Sequence, residues 1–291
     1  MMGEGPAMRS QSEQSSLRRD NEKAAPVESE MAENELVEEE SGENETGGLS
    51  EPIVITSIAD LLDGLEEQPE AGVSWYRGHT KSSHSLVPSI GRDYQPTDAE
   101  LTLVKRFKQN AYPFLDSPPE KEWEWLFLMQ HHGVPTRLLD WTESPLVALW
   151  FSLERRNDDQ DACVWELQPI ELNRIASIHP KFHLDIPLFG QDSELDNYLP
   201  SVLETTAAKN TPAAGIAPRQ FSRVVAQMGS FTVTHKEHLS LEASAGQCLR
   251  QFVIPAPSKE AIRKELELLC VTRLSVFPEL QNVAAQAQIG L

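Results

Sequence analysis

Positive charge, aromatic side chains and cysteine are all scarce in this sequence. Its 291 residues include 25 Lys and Arg against 45 Asp and Glu, a formal net charge of −20, and only 7% are aromatic. Because so negative a field repels phosphate backbones and anionic lipid, the charge argues against unselective binding to nucleic acid or to a membrane surface. The three cysteines are far apart, which argues against a disulfide framework and favours buried thiols in a reducing cytoplasm. No apolar run reaches the roughly 18 residues that a transmembrane helix needs.

The first fifty residues contain no aromatic side chain and no isoleucine. They carry thirteen acidic and four basic side chains. Such a stretch cannot bury enough apolar area to offset about 1–2 kcal/mol of ordering entropy per residue. We therefore predict a disordered acidic tail over residues 1–51, with the segment around Glu38 to Glu40 as a candidate site for a protein partner. One folded domain is predicted over residues 52–291.

Helix-like and strand-like segments follow one another without regular alternation, which predicts an α+β domain rather than a doubly wound parallel sheet. The stretch from Glu171 to Pro218 has few periodic segments, as is typical of a lid, a binding loop or a poorly ordered connection. The predicted strands are 53–55, 73–78, 161–167, two short ones within 221–234, and 248–254. The predicted helices are 58–65, 97–111, 118–132, 144–153 and a final helix capped by Ser258.

Polar side chains of functional types are densest between Gln130 and Thr142, in the connection between two apolar helices. Pro135 disfavours helix at the residue before it, so the segment is predicted to be a stiff turn that leads into an extended piece. Such a turn can hold polar groups at fixed positions for a ligand. The structural alternative is that Arg137 pairs with Asp140 and that His131 caps its own helix.

A second candidate cluster runs from Trp75 to His79. Arg77 sits beside aromatic residues at a strand end, where a planar guanidinium can hold a phosphate or carboxylate, and Gly78 would let a ligand approach the backbone. The alternative is an ion pair between Arg77 and a core aspartate such as Asp140. The spacing of histidine and cysteine predicts no metal site, and neither a nucleophile elbow nor a glycine-rich phosphate loop is present.

These two clusters resemble the FRG domain family, whose members carry an aromatic-Arg-Gly signature. The resemblance covers roughly residues 70 to 285, with its core motifs in 70–165 and its C-terminal part in 219–285. It is carried by Trp75 to Gly78, by Gln130 to Thr142, by the apolar helix Ser144 to Leu153, by Arg223, Gln227, Gly229 and Phe231, and by Phe277 to Leu280.

The FRG family is distantly similar to ADP-ribosyltransferases, and the resemblance therefore implies a split mixed sheet and an NAD or nucleotide site. It implies catalytic roles for Arg77, Asp140 and Gln227. Gln227 stands near the place where a transferase carries a glutamate, and a neutral amide supplies no counter-charge to an oxocarbenium-like transition state. The ligand contacts that the resemblance implies are Tyr76, Gly78, His132, Thr136, Arg137, Trp141 and Thr142.

The implied activity is transfer of ADP-ribose or cleavage of the nicotinamide bond, with NAD as substrate or ligand and no metal. The alternative function is a non-catalytic ligand-sensing or protein-interaction module in which the acidic tail contacts a protein partner. A role in nucleic-acid processing is disfavoured by the net charge, although Lys105, Arg106 and Lys108 form a small basic strip.

Overall fold

The computed structural model describes residues 48–67, 72–93, 97–155, 159–207, 209–218, 225–237 and 240–288. The predicted acidic tail, 1–51, lies almost wholly outside the described residues, and so does the first part of the strand pair predicted within 221–234. Within the described ranges, no helix is both long enough and apolar enough to cross a membrane.

The centre of the protein is a mixed seven-stranded sheet, which confirms the α+β class. The strand order is β1-β7-β4-β2-β3-β6-β5, and β1 beside β7 is parallel while every other neighbouring pair is antiparallel. The strands are β1 (Ile53–Val54), β2 (Trp75–His79), β3 (Leu138–Thr142), β4 (Ala162–Leu167), β5 (Ala213–Gly215), β6 (Gly229–Val233) and β7 (Leu249–Ile254).

Helices pack on both faces of this sheet and close three apolar cores. Two short helices follow the one that was predicted to be the last, so that prediction was wrong. The helices are α1 (Ile58–Glu66), α2 (Ser89–Asp93), α3 (Thr97–Ala111), α4 (Glu122–His131), α5 (Pro145–Ser152), α6 (Pro169–Ile175), α7 (Pro200–Leu203), α8 (Leu241–Ala245), α9 (Lys259–Leu268), α10 (Arg273–Val276) and α11 (Leu280–Gln286).

Local capping explains where several of these helices begin and end. The Ser57 hydroxyl accepts a hydrogen bond from the backbone N–H of Asp60, whose carboxylate in turn accepts from the Ser57 N–H, and this capping box starts α1. The Ser144 hydroxyl caps α5 in the same way, through the N–H of Val147. Gly133, at φ +75°, follows the end of α4 in the left-handed conformation that glycine adopts without strain.

In its described residues, the connection from 171 to 218 packs into the core rather than forming a lid or a poorly ordered segment, and its last residues, Ala217 and Pro218, line a cavity as a binding loop would. It contains α6, α7, β5 and short 3₁₀ turns. Phe189, Leu195 and Tyr198 from this stretch are almost fully buried, and they lie in the same apolar core as residues of α4 and β6. Short single-turn elements of this kind leave no long hydrophobic period in the sequence, because packing against the rest of the domain fixes them.

The sheet is held at its centre by a single residue pair. Strands β2 and β3 pair only at Tyr76 and Thr142, whereas β2 pairs with β4, and β3 with β6, over five positions each. The described strands therefore form one sheet, with an opening where the backbones of β2 and β3 no longer pair. This opening positions the candidate site.

Candidate functional site

A cavity of about 240 Å³ lies at the opening between β2 and β3. Its polar lining brings together Arg77, Asp140 and Gln227, three side chains that come from well-separated parts of the chain. Thr142 and Gln130 complete the polar groups on which the site's geometry depends. The apolar lining includes Phe127, Phe151, Ala217, Pro218 and Phe231.

Arg77 bridges the two strands where their backbones no longer pair. Its Nη1 donates to the main-chain carbonyl of Asp140 at 2.6 Å, and its Nε donates to Nε2 of His79 at 3.1 Å. Burial lowers the pKa of Arg77 and Asp140 opposes that shift, but an arginine stays protonated at neutral pH. Among the described residues Nη2 has no hydrogen-bond partner.

His79 supports Arg77 as a neutral imidazole. Because the Nε of Arg77 can only donate, Nε2 of His79 must accept, and the ring proton therefore lies on Nδ1, 3.0 Å from the carbonyl oxygen of His84. Burial, reinforced by the positive charge of Arg77, lowers the pKa of His79 to about 3. Of these two side chains, only Arg77 is therefore charged at neutral pH.

Asp140 presents a carboxylate whose side chain is 55% exposed. Its Oδ2 accepts a hydrogen bond from Nε2 of Gln130 at 2.9 Å and lies 3.7 Å from Nη1 of Arg77. The Thr136 hydroxyl donates to Oε1 of Gln130, which fixes the orientation of that amide and turns its N–H groups towards Asp140. Among the described residues Oδ1 of Asp140 has no partner.

Gln227 joins the cavity from the segment that precedes β6. Its main-chain carbonyl accepts from the Thr142 hydroxyl at 2.6 Å, and its Nε2 donates to the carbonyl of Val276 at 3.3 Å. The Thr142 hydroxyl also accepts from the N–H of Ser144, the residue that caps α5. Thr142 thus ties the end of β3, the start of α5 and Gln227 to one another.

Gly78 is required by the packing of α5 rather than by the approach of a ligand. A Cβ built on Gly78 would lie 1.9 Å from the carbonyl oxygen of Ala148 and 2.6 Å from the N–H nitrogen of Ser152. Both are backbone atoms of α5, so no change of side-chain rotamer could relieve the contact. Gly78 does line the cavity, but its lack of a side chain serves the contact between strand and helix.

The two aromatic residues that the resemblance implied as ligand contacts, Tyr76 and Trp141, both line the cavity and are largely buried. Tyr76 lines the cavity but is 8% exposed, and burial together with the charge of Glu166 raises the pKa of its hydroxyl. Trp141 is 3% exposed, and its indole N–H donates to the Thr232 hydroxyl at 3.0 Å. Three residues that the sequence did not single out as ligand contacts complete the aromatic wall: Phe127, Phe151 and Phe231. Phe127 and Phe231 are as deeply buried as Tyr76 and Trp141, at 8% and 5% exposed.

Three further residues that the sequence suggested as ligand contacts lie outside the cavity lining. Arg137 is fully buried and pairs with Glu100, its Nε donating at 2.5 Å, while its Nη1 donates to the carbonyl of Thr234. His132 lines a separate apolar groove beside Phe107. The third residue, Thr136, acts on the cavity only through its hydrogen bond to Gln130, as described above.

Two features of the cavity limit its chemistry. Asp140 is the only carboxylate in its lining among the described residues. No group of three or more histidine, cysteine or acidic side chains in the described ranges is arranged to hold a metal ion. The polar groups present can bind, orient and stabilise charge on an organic ligand.

The FRG domain family matches residues 73–161, which run from just before β2 to just before β4. This chain contains an FRG domain. The FRG match includes Arg77, Gly78, Gln130 and Asp140, whereas Gln227 and Phe231 lie beyond its C-terminal limit. No curated protein and no solved structure matches the chain.

Proposed function

We propose that this FRG domain binds NAD or a related nucleotide at the β2–β3 opening and acts like an ADP-ribosyltransferase, by transferring ADP-ribose or by cleaving the nicotinamide bond. The observation that carries the proposal is the convergence of Arg77, Asp140 and Gln227 on one cavity. An open guanidinium, a half-exposed carboxylate and an amide within an aromatic wall can orient a charged nucleotide.

The size of the cavity determines how much of the ligand it holds. Ligand pockets usually span about 300–1,000 Å³, so a cavity of about 240 Å³ accommodates one ring rather than a whole dinucleotide. In the proposed complex the nicotinamide ring lies against Phe127, Phe151 and Phe231. The remainder of NAD then extends from the mouth of the cavity.

The proposed reaction breaks the bond between the nicotinamide nitrogen and C1′ of the ribose. The bonding electron pair leaves with nicotinamide, and water or an acceptor nucleophile attacks C1′ and loses its proton. The developing positive charge on the ribose is stabilised by the carboxylate of Asp140, which Gln130 orients. Gln227 contributes hydrogen bonding but no charge.

The second candidate function is a non-catalytic ligand-sensing module. Two contacts favour it: Oδ2 of Asp140 is already engaged by Gln130, and the Gln227 amide already donates to Val276. Fixed groups of this kind suit recognition as well as catalysis. The two functions differ in turnover, which can be measured directly.

The test is incubation of the full chain with NAD, with binding followed by calorimetry and nicotinamide release by chromatography. Arg77→Ala removes the guanidinium, and we expect NAD affinity to fall about 10-fold to 100-fold. Arg106→Ala, on the exposed face of α3 and outside the cavity, is the matched control. Saturable binding without nicotinamide release identifies the sensing module. Lack of saturable NAD binding at millimolar ligand rejects the proposal.

A further inference from the structure

A second concave surface lies between the helices α3 and α4. It is an open groove of about 550 Å³, which we call the α3–α4 groove. It shares no lining residue with the cavity at the β2–β3 opening, so neither the cavity nor its ligand explains it. Its apolar lining includes Leu103, Phe107, Ala111, Phe114, Leu128 and Val134.

One side of the groove is an apolar stripe along α3. Leu103, Phe107 and Ala111 are four residues apart, so they lie on the same face of this helix. From Leu103 to Ala111 the helix rises about 12 Å, at roughly 1.5 Å per residue. A partner helix with apolar residues three or four positions apart presents a stripe of matching length, as amphipathic helices do when they bind in a groove.

The groove also includes an aromatic side chain that the fold leaves in water. Phe114 is 87% exposed, and its neighbour Tyr112 is 52% exposed. Both belong to the short 3₁₀ turn that follows α3. Aromatic residues are enriched at protein interfaces, and an exposed apolar surface that adjoins a groove is typical of a binding site. Phe114 therefore serves contact with a partner better than it serves the core.

Positive charge flanks the apolar stripe on both sides. Arg106 and Lys108 stand one residue before and one residue after Phe107, so they project about 100° to either side of it. Arg106 is exposed, lines the groove and has no ion-pair partner among the described residues. Nζ of Lys108 lies 5.3 Å from the ring centroid of Trp125. Among the described residues, the groove lining contains no carboxylate.

These local cations act at shorter range than the net charge of the chain. At physiological ionic strength the Debye length is about 8 Å, so a partner in the groove experiences Arg106 and Lys108 more strongly than the distant carboxylates behind the net charge of −20. The groove therefore selects a partner that combines apolar residues with negative charge.

We infer that the α3–α4 groove binds an acidic amphipathic helix of a partner protein, whose apolar residues pack against Phe107 and Phe114 and whose carboxylates lie beside Arg106 and Lys108. A nucleic acid would satisfy the cations but leave the apolar stripe without a partner. A second copy of the chain would bring a like charge of −20 to the contact. The inference is independent of the proposed function, because the groove and the cavity have separate linings.

Three synthetic peptides of equal length test the inference by calorimetric titration of the full chain. The first carries leucine at every third or fourth position and glutamate on the opposite face. The second has glutamine in place of each glutamate, and the third has serine in place of each leucine. We expect saturable binding of the first and about 10-fold weaker binding of the other two. Equal binding of either altered peptide, or no saturable binding of the first at millimolar peptide, overturns the inference.

Two pairs of variants place the glutamate peptide in the groove. Phe114→Ser should lower its affinity about 10-fold, whereas Leu280→Ser, at a side chain 86% exposed and outside the groove, should not change it. Arg106→Glu should weaken binding more than Lys105→Glu, because Lys105 is exposed on the face of α3 opposite the stripe. Unchanged affinity in both Phe114→Ser and Arg106→Glu overturns the inference. Thermal melting verifies folding, and the peptide series on the wild-type chain decides the question even if a variant does not fold.

Two further measurements identify a different occupant. Self-association of the chain in sedimentation that Phe114→Ser abolishes would assign the groove to a second copy and overturn the inference. Binding of a single-stranded oligonucleotide that Arg106→Glu abolishes, without binding of the glutamate peptide, would assign it to nucleic acid and overturn the inference as well. A chain that remains monomeric and binds the glutamate peptide through Phe114 and Arg106 supports it.

Discussion

Replacement of Gly78 by alanine should destabilise the domain strongly, although it adds only one methyl group. The new Cβ would lie 1.9 Å from the Ala148 carbonyl oxygen, where real Cβ contacts are essentially never shorter than 3.0 Å. Strand and helix must therefore separate by about 1 Å along a buried contact. Overpacking of a core costs about 1–3 kcal/mol and occasionally more, and we expect the upper end because both clashing atoms of α5 belong to its backbone.

The sign of the effect makes this experiment decisive. Where alanine fits without strain, replacing glycine stabilises a protein by about 0.4–1 kcal/mol through the unfolded chain. Gly72→Ala is the matched control, because a Cβ at that position meets no atom within 4 Å. A loss of about 3 kcal/mol corresponds to a decrease of about 6–12 °C in Tm for a domain of this size. Thermal and urea unfolding of the two variants and the wild type measure the difference.

The same substitution should also weaken ligand binding. Phe151, at the end of α5, lines the cavity, so a helix displaced from β2 carries part of the aromatic wall with it. Nicotinamide affinity should fall in Gly78→Ala and stay unchanged in Gly72→Ala. A Tm for Gly78→Ala within a degree or so of the control would refute the packing argument for this glycine.

Two further predictions concern groups that support the site. Glu100→Gln leaves the fully buried Arg137 without its counter-charge and should cost about 3–5 kcal/mol, whereas Glu100→Leu combined with Arg137→Met should restore most of that loss. Urea unfolding checks both, and no recovery in the double variant contradicts a purely structural pair. The folded-state pKa of His79, about 3, lies below its unfolded value of about 6.5, so the unfolded chain binds the proton first as the pH falls. The free energy of unfolding should therefore fall as the pH drops from about 6.5 towards 3, by up to about 1.4 kcal/mol per pH unit. His79→Gln should flatten the slope of unfolding free energy against pH but not abolish it, since burial also lowers the pKa of His235, to about 4. Identical slopes in the variant and the wild type contradict the prediction.

Elements defined by short-range signals could be predicted from the sequence. Ser57 and Ser144 each cap a helix through a backbone N–H three residues ahead, and Gly133 follows a helix end in the left-handed conformation. These signals depend on residues within one turn of each other, so they persist whatever the rest of the chain does. The α+β class follows from the order of such elements.

The ion-pair partner of Arg137 could not be predicted from the sequence. Asp140 was a reasonable candidate because it lies three residues away, but residues three apart in an extended chain point to opposite faces. The observed partner, Glu100, lies 37 residues away on a helix whose packing against the sheet no local pattern specifies. Long-range pairing of this kind is decided by tertiary structure, and the position of Arg137 outside the cavity follows from it.

The residues of the aromatic-Arg-Gly signature have different roles: two hold the fold together, and one supplies a charged group to the cavity. Tyr76 is buried and joins the two halves of the sheet through its pair with Thr142, while Gly78 allows the backbone of α5 to pack closely against β2. Arg77 is the member that brings a charge to the cavity lining. Gln227, Phe231, Ala217 and Pro218, which also line the cavity, lie outside residues 73–161. The matched segment therefore builds the opening and supplies its charged pair, and the residues beyond it shape what else a ligand touches. Two chains that share the signature can differ in chemistry for that reason, and binding of small-ring ligands tests this chain more directly than the signature does.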